Sequence, residues 1–128
     1  MKFINPSTVM TPQGGYSQGT QAGDLIFVAG QVGVDASGKL PGDGGMAAQT
    51  RQTIANVAAV LTEAGATLAD VVSATVYVKN LSEYKVFGQV WQECFGSHKP
   101  ARATVLAELV MPQLLVEIQA IAVRRNVD

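Results

Sequence analysis

A single cysteine and a single histidine occur among the 128 residues, and nine lysines and arginines stand against ten aspartates and glutamates. A zinc site of Cys/His type needs more ligands than these two residues supply, and a lone thiol cannot close an intrachain disulfide. The net charge of −1 leaves no basic excess to neutralise a phosphate backbone, which argues against charge-driven nucleic-acid binding. No wholly apolar run exceeds five residues, and Met1-Lys2-Phe3-Ile4-Asn5-Pro6 reaches proline before an apolar signal region can form. Neither a secretion signal nor a membrane span is expected, and a reducing cytoplasmic setting is the simpler expectation. Charged residues make up only 15% of the chain.

Hydrophobic residues make up 48% of the chain. At this length a single domain over residues 1–128 is expected, burying roughly two-thirds of its unfolded surface without covalent staples. The 13 glycines form no low-complexity tract, and no internal repeat is present.

Two segments carry a helical period. Over 46–64, Ala47, Ile54, Val57, Ala58 and Leu61 recur at three and four, with Asp43 or a nearby glycine as start signal and Gly65 as stop. A second helix is expected from Ser82, as N-cap, to Phe95. Tyr84, Phe87, Trp91, Cys94 and Phe95 form its stripe, and Gly96 lies beyond its end.

Strands are signalled by β-branched runs with a period of two. They fall at Val71 to Val78, Leu25 to Gly30, Ala101 to Ala107 and Leu114 to Val123, with a further strand at Ser17 to Gln21 turning at Ala22-Gly23-Asp24. In Val71 to Val78, Val72, Ala74, Val76 and Val78 share one face. The order strand, strand, helix, strand, helix, strand, strand predicts an α+β fold, a mixed sheet with two helices on one face. The other face then needs a cover, and self-association is the expected one.

Polar residues on these strands are the candidates for chemistry. The period puts Arg102 with Thr104 and Leu106, opposite Ala101, Ala103 and Val105, and puts Glu117 and Gln119 opposite Val116, Ile118, Ala120 and Ala122. If the apolar sets meet the helices, Arg102 and Glu117 both project from the opposite, subunit-covered face. A charge there must be paired or used. Arg102 reads either as an ion pair with Glu117 or a neighbouring subunit, or as a carboxylate clamp, because a guanidinium grips a carboxylate through two parallel hydrogen bonds. Glu117 reads as that partner or as a base that holds water. Tyr16, between glycines in Gly14-Gly15-Tyr16-Ser17-Gln18-Gly19, is a turn aromatic sealing the sheet edge or a pocket wall with a phenol donor.

Other features are weaker. Pro41-Gly42-Asp43-Gly44-Gly45 lacks the spacing and lysine of a phosphate loop and reads as a turn and cap. Cys94 on the aromatic stripe reads as a structural thiol, His98 as a surface-loop residue, and Trp91 as core.

Taken in order, several stretches resemble the RidA (YjgF) family over nearly the whole chain. They are Gly15-Tyr16-Ser17-Gln18-Gly19, Val28-Ala29-Gly30-Gln31, Ala48-Gln49-Thr50-Arg51-Gln52 with Asn56-Val57, Thr75-Val76-Tyr77-Val78, Pro100-Ala101-Arg102-Ala103-Thr104 and Val116-Glu117-Ile118-Gln119-Ala120-Ile121-Ala122-Val123. The resemblance implies a chorismate-mutase-like fold assembling as a homotrimer, with the sheets lining a central barrel, the helices outside and three clefts between subunits. It implies hydrolysis of reactive enamines and imines, such as 2-aminoacrylate, to 2-keto acids and ammonia without a cofactor.

By position, Arg102 matches the family's substrate-carboxylate arginine, Glu117 its glutamate near the attacking water, and Tyr16 its pocket tyrosine; Ala29 and Gly30 fall in the same substrate-binding region. Backbone groups near Thr104 complete the expected water site. Ala29 stands where the best-studied deaminases have serine, Thr104 where they often have cysteine, and Gly88 where a polar residue is frequent. Two alternatives remain: non-catalytic binding of small carboxylates or 2-keto acids in the same cleft, and the RNA cleavage or translation inhibition attached to some relatives. The charge balance argues against the latter.

Overall fold

A computed structural model describes residues 1–125, so the last three positions of the expected 1–128 domain lie outside the described residues. The strands are β1 (Lys2–Ile4), β2 (Gly19–Ala22), β3 (Leu25–Val32), β4 (Val71–Val78), β5 (Ala101–Leu106) and β6 (Val116–Val123); the helices are α1 (Met46–Glu63) and α2 (Tyr84–Phe95). One sheet holds all six strands in the order β1-β2-β3-β6-β4-β5. Every neighbouring pair is antiparallel except β4 and β5, which are parallel because α2 carries the chain back between them. β1 had no counterpart among the expected strands, since three residues are too few to show a period.

α1 starts where Asp43 Oδ1 accepts a hydrogen bond from the Gly45 amide at 2.8 Å. It ends in a Schellman turn: Gly65, at φ +82°, lets the Ala66 amide reach Leu61 O at 2.8 Å and its own amide reach Thr62 O at 3.0 Å. Gly96, at φ +62°, ends α2 with its amide donating to Gln92 O at 2.9 Å. Ser82 is not its N-cap: Leu81–Glu83 form a 3₁₀ turn that runs into α2, and no side chain caps the join. Gly33 fits because a β-carbon there would lie 2.7 Å from the Gln49 carbonyl oxygen, so α1 approaches the end of β3 at backbone contact.

α1 packs on β3 and β6 beside α2, and the core lies between this helical layer and the sheet. Ile26, Val28, Ala74, Val76, Val78, Val116, Ile118, Ala120 and Ala122 face it, buried with Val57, Val60, Leu61 and Phe87. Full burial of each larger side chain contributes about 1.5–3 kcal/mol. On the far side, Leu25, Phe27, Val72 and Val105 remain exposed.

Two bulges break the period of two. Between Val28 and Gln31, Ala29 and Gly30 together oppose one residue of β6, so the inward position passes from an expected Gly30 to Gln31. A second irregularity between Val71 and Ser73 turns Val72 outward and buries Val71, the reverse of the expected faces.

Candidate active site

β6 behaves as expected: its apolar set faces the helices and Glu117 points away from them. β5 does not. Arg102 lies opposite Ala74, a core-facing residue of β4, and its guanidinium carbon sits over the rings of Phe87 and Trp91 on α2, at 5.3 and 4.9 Å from their centroids. Arg102 therefore projects from the helix face, and Ala101, Ala103 and Val105 from the other. Periodicity tells which residues share a face but not which face meets the helices. At an edge strand beside an aromatic helix, the long apolar stem and flat head of arginine pack better than alanine. The intrachain Arg102–Glu117 ion pair is accordingly absent among the described residues.

Glu117 belongs to a cavity of about 370 Å³ lined by Met10, Tyr16, Ala29, Gly30, Val32, Val34, Gly38, Val110, Met111, Gln113, Leu114 and Glu117 itself. Tyr16, Ala29, Gly30 and Glu117 are thus brought together. The bulge at Ala29-Gly30 sets bare backbone against the acid, and a β-carbon on Gly30 would overlap the Glu117 carboxylate. Glu117 is half-buried, and burial pushes its pKa above the ordinary glutamate range. No side chain among the described residues hydrogen-bonds to it or pairs with it. A carboxylate desolvated and left unpartnered in an apolar cavity is a functional candidate on physical grounds.

Thr104, two residues on from Arg102, shares its face and lines a smaller hollow of about 190 Å³ with Val78, Leu81, Tyr84, Val105 and Leu106. β5 is an edge strand, so one side of its backbone has no ladder partner. Arg102 Nη2 donates to Tyr84 Oη at 2.9 Å. One chain therefore carries two half-sites: Tyr16, Ala29, Gly30 and Glu117 in the cavity, and Arg102 with Thr104 on the helix side of the edge strand. With β4 between their strands and opposite faces presented, Arg102 and Glu117 of one chain cannot grip the same small molecule.

Several residues that shape the site were not among the sequence candidates. Gln31 Nε2 donates to Gln18 Oε1 (2.7 Å) and Ala29 O (3.1 Å), the Ala29 amide donates to Gln18 O (2.8 Å), and Gln18 Nε2 donates to Met10 O (2.7 Å). This network fixes the bulge and the Met10 wall from behind. Gln49, fully buried in α1, donates to Gly44 O and Gln113 O and accepts from the Leu115 amide, each at 2.9 Å, tying down the cavity's far wall. Asn56 donates to Val32 O and Val34 O. The signal was present: Gln49, Thr53 and Asn56 recur at four and three, so they share one helical face with the apolar stripe.

The weaker features have structural roles. Pro41 to Gly45 forms the turn and cap before α1; the Cys94 thiol is half-buried, with its pKa raised by burial and then by Glu93; and His98 Nε2 lies 2.7 Å from Val71 O. Among the described residues no three His, Cys, Asp or Glu side chains cluster to hold a metal, and no helix is long and apolar enough to cross a membrane.

The sequence model of the family described as Endoribonuclease L-PSP matches residues 7–124. A RutC family protein of Pyrococcus abyssi is 42% identical over 111 residues, 87% of either chain. The 2-iminobutanoate/2-iminopropanoate deaminase of Escherichia coli is 37% identical over 116 residues, 88% of this chain and 89% of its own. The crystal structure of E. coli TdcF with bound serine superposes with a TM-score of 0.90 at 29% identity, covering 98% of this chain and all of that one.

Proposed function

The chain belongs to the Endoribonuclease L-PSP family, which is the RidA (YjgF) family, and from that premise we propose that it hydrolyses 2-imino acids, the tautomers of reactive enamines, to 2-keto acids and ammonia. The observation that carries the reading is the pairing of an unneutralised arginine with an unpartnered, desolvated glutamate on opposite faces of one sheet. Two copies of the chain must meet for both to act on one substrate. A homotrimer brings Arg102 and Thr104 of one subunit to the Glu117 cavity of the next, and the exposed apolar face carrying Leu25, Phe27 and Val105 supports such an assembly.

In the assembled cleft Arg102 grips the substrate carboxylate with two N–H donors. Glu117 and backbone groups near Thr104 hold a water against the imine carbon. As the water adds, Glu117 takes its proton and passes it to the nitrogen; Glu117 then takes the hydroxyl proton of the tetrahedral carbinolamine and delivers it to the amino group as the C–N bond breaks, leaving the ketone and ammonia. The raised pKa makes Glu117 a stronger base than an exposed glutamate and a workable acid in the second step. Since imines already hydrolyse in water, proximity and one proton relay suffice, and the step requires no cofactor. The serine held by TdcF and the activity named for the E. coli deaminase support a small amino-acid-like or imino-acid ligand.

A second reading is favoured by Ala29: without a hydroxyl at the bulge, the same cleft binds small carboxylates or 2-keto acids without turnover. RNA cleavage, which the family description names, is weighed down by the net charge of −1.

The test generates imino acids in situ with an amino-acid oxidase and follows ammonia and keto acid. Arg102→Ala and Glu117→Gln chains are each expected to keep only about 1% of wild-type activity alone. Co-assembled at equal amounts, they should recover about a quarter of wild-type activity, because in mixed trimers one cleft of three pairs two intact residues. No recovery in verified mixed trimers would overturn the shared cleft. Wild-type protein that binds 2-ketobutyrate without accelerating hydrolysis would favour the binder.

A further inference from the structure

Arg102 has no acidic partner among the described residues. It is held instead by neutral groups. Tyr84, Phe87, Trp91 and Phe95 follow one another along α2 as a ladder of rings with centroid separations of 6.2, 5.8 and 4.1 Å. Phe87 and Trp91, both buried, lie beneath the guanidinium, and the Tyr84 hydroxyl accepts from its edge at 2.9 Å. An aspartate in Tyr84's place would fix the arginine equally well but would occupy its charge. A phenol and two ring faces orient it and leave the charge for an incoming anion.

We infer that Tyr84 is a positioning residue for carboxylate recognition, acting through Arg102: its hydroxyl stops the guanidinium from rotating on its Phe87–Trp91 platform and presents the remaining donors as a fixed fork. The inference rests on the role of Arg102 proposed above. Flexible arginine loses rotamer freedom on gripping an anion, and a side chain ordered beforehand loses less. The phenol keeps the same geometry with substrate absent or bound, because it takes only one of the five guanidinium N–H donors.

Tyr84→Phe tests this, since it removes one oxygen and keeps the ring that stacks on Phe87. KM for the imino acid and Kd for 2-ketobutyrate should rise roughly three- to tenfold, the range of one ordinary solvent-exposed hydrogen bond, with kcat nearly unchanged. In an Arg102→Ala background the same substitution should add nothing. The Arg102 side-chain N–H signals in nitrogen-15 spectra supply a readout independent of catalysis. They should be shifted by ring currents in both proteins, with rotation about the Nε–Cζ bond faster in Tyr84→Phe. Unchanged Kd and unchanged rotation would overturn the inference, as would an equal loss without Arg102. If wild type neither turns over imines nor binds 2-ketobutyrate, the reading of the cleft falls with it; if wild type is active and Tyr84→Phe is indistinguishable, only the role of Tyr84 falls.

Discussion

The half-site around Glu117 and the half-site around Arg102 are built by different means. Glu117 sits among apolar walls, against a bare bulge, over a buried net of glutamines that grips backbone carbonyls and amides. Arg102 lies on an edge strand and is held by side chains of a single helix. The difference follows from what each group offers. A carboxylate can be tuned by desolvation, which takes a well-formed, water-poor cavity. A guanidinium stays charged in any protein setting, so its surroundings can only aim it.

The largest expected effect is on stability and tests whether the cavity half alone depends on the buried net. Gln49→Leu strips partners from Gly44 O, Gln113 O and the Leu115 amide at once. It should cost about 3 kcal/mol, a fall in Tm of roughly 10 °C, whereas Arg102→Ala should cost under about 1 kcal/mol. Thermal melts that show equal losses would erase the contrast.

Next comes activity. Arg102→Ala and Glu117→Gln should each lower kcat/KM by about 100-fold, the first mainly through KM and the second mainly through kcat. The acid limb of the wild-type pH–rate profile should lie above the ordinary glutamate range and vanish in Glu117→Gln. Stability carries the opposite sign. A folded-state pKa above the unfolded one favours folding at pH below the unfolded value, and that contribution is lost as pH rises through the folded value. Glu117→Gln should therefore melt higher than wild type near neutral pH, with the gap closing on acidification. A gap that widens in acid would show that Glu117 is stabilised as a charged group.

Gly30→Ala should fall between these and the smallest effects. The new β-carbon displaces the Glu117 carboxylate, the movable end of a side chain, so kcat should drop about tenfold while Tm changes by only a degree or two. A large loss of stability would mean that the bulge, and not the acid, needs glycine.

The two halves also differed in how far the sequence reveals them. The α+β order, the C-terminal ends of both helices and the face of Glu117 follow from periodicity and glycine placement. The face of Arg102 does not, because β5 alternates alanine with arginine and threonine, and no apolar set marks the side that meets α2. Its orientation depends on the parallel pairing with β4, a tertiary fact. Trp91 reads as core from its helical spacing, and it is buried; that its ring also carries Arg102 depends on the same pairing. The bulges at Ala29-Gly30 and Val72 are equally silent, since one extra residue leaves composition and length unchanged.

The smallest effects separate side-chain from backbone roles. Ala29 lines the Glu117 cavity with its amide and carbonyl already engaged by Gln18 and Gln31, so Ala29→Ser adds a hydroxyl to the cavity without disturbing the bulge. One added hydrogen bond to a small substrate is worth up to about fivefold in kcat/KM, and it should favour iminopropanoate over longer imino acids, which compete for the space the hydroxyl takes. In the proposed cleft Thr104 would supply backbone groups from an edge strand, and these stay in place when its side chain changes. Thr104→Cys should accordingly leave both rates within about twofold, inside the range of ordinary surface substitutions. Measured side by side, a larger response at position 104 than at 29 would reverse the assignment, placing side-chain chemistry on the edge strand and leaving the cavity as shape alone.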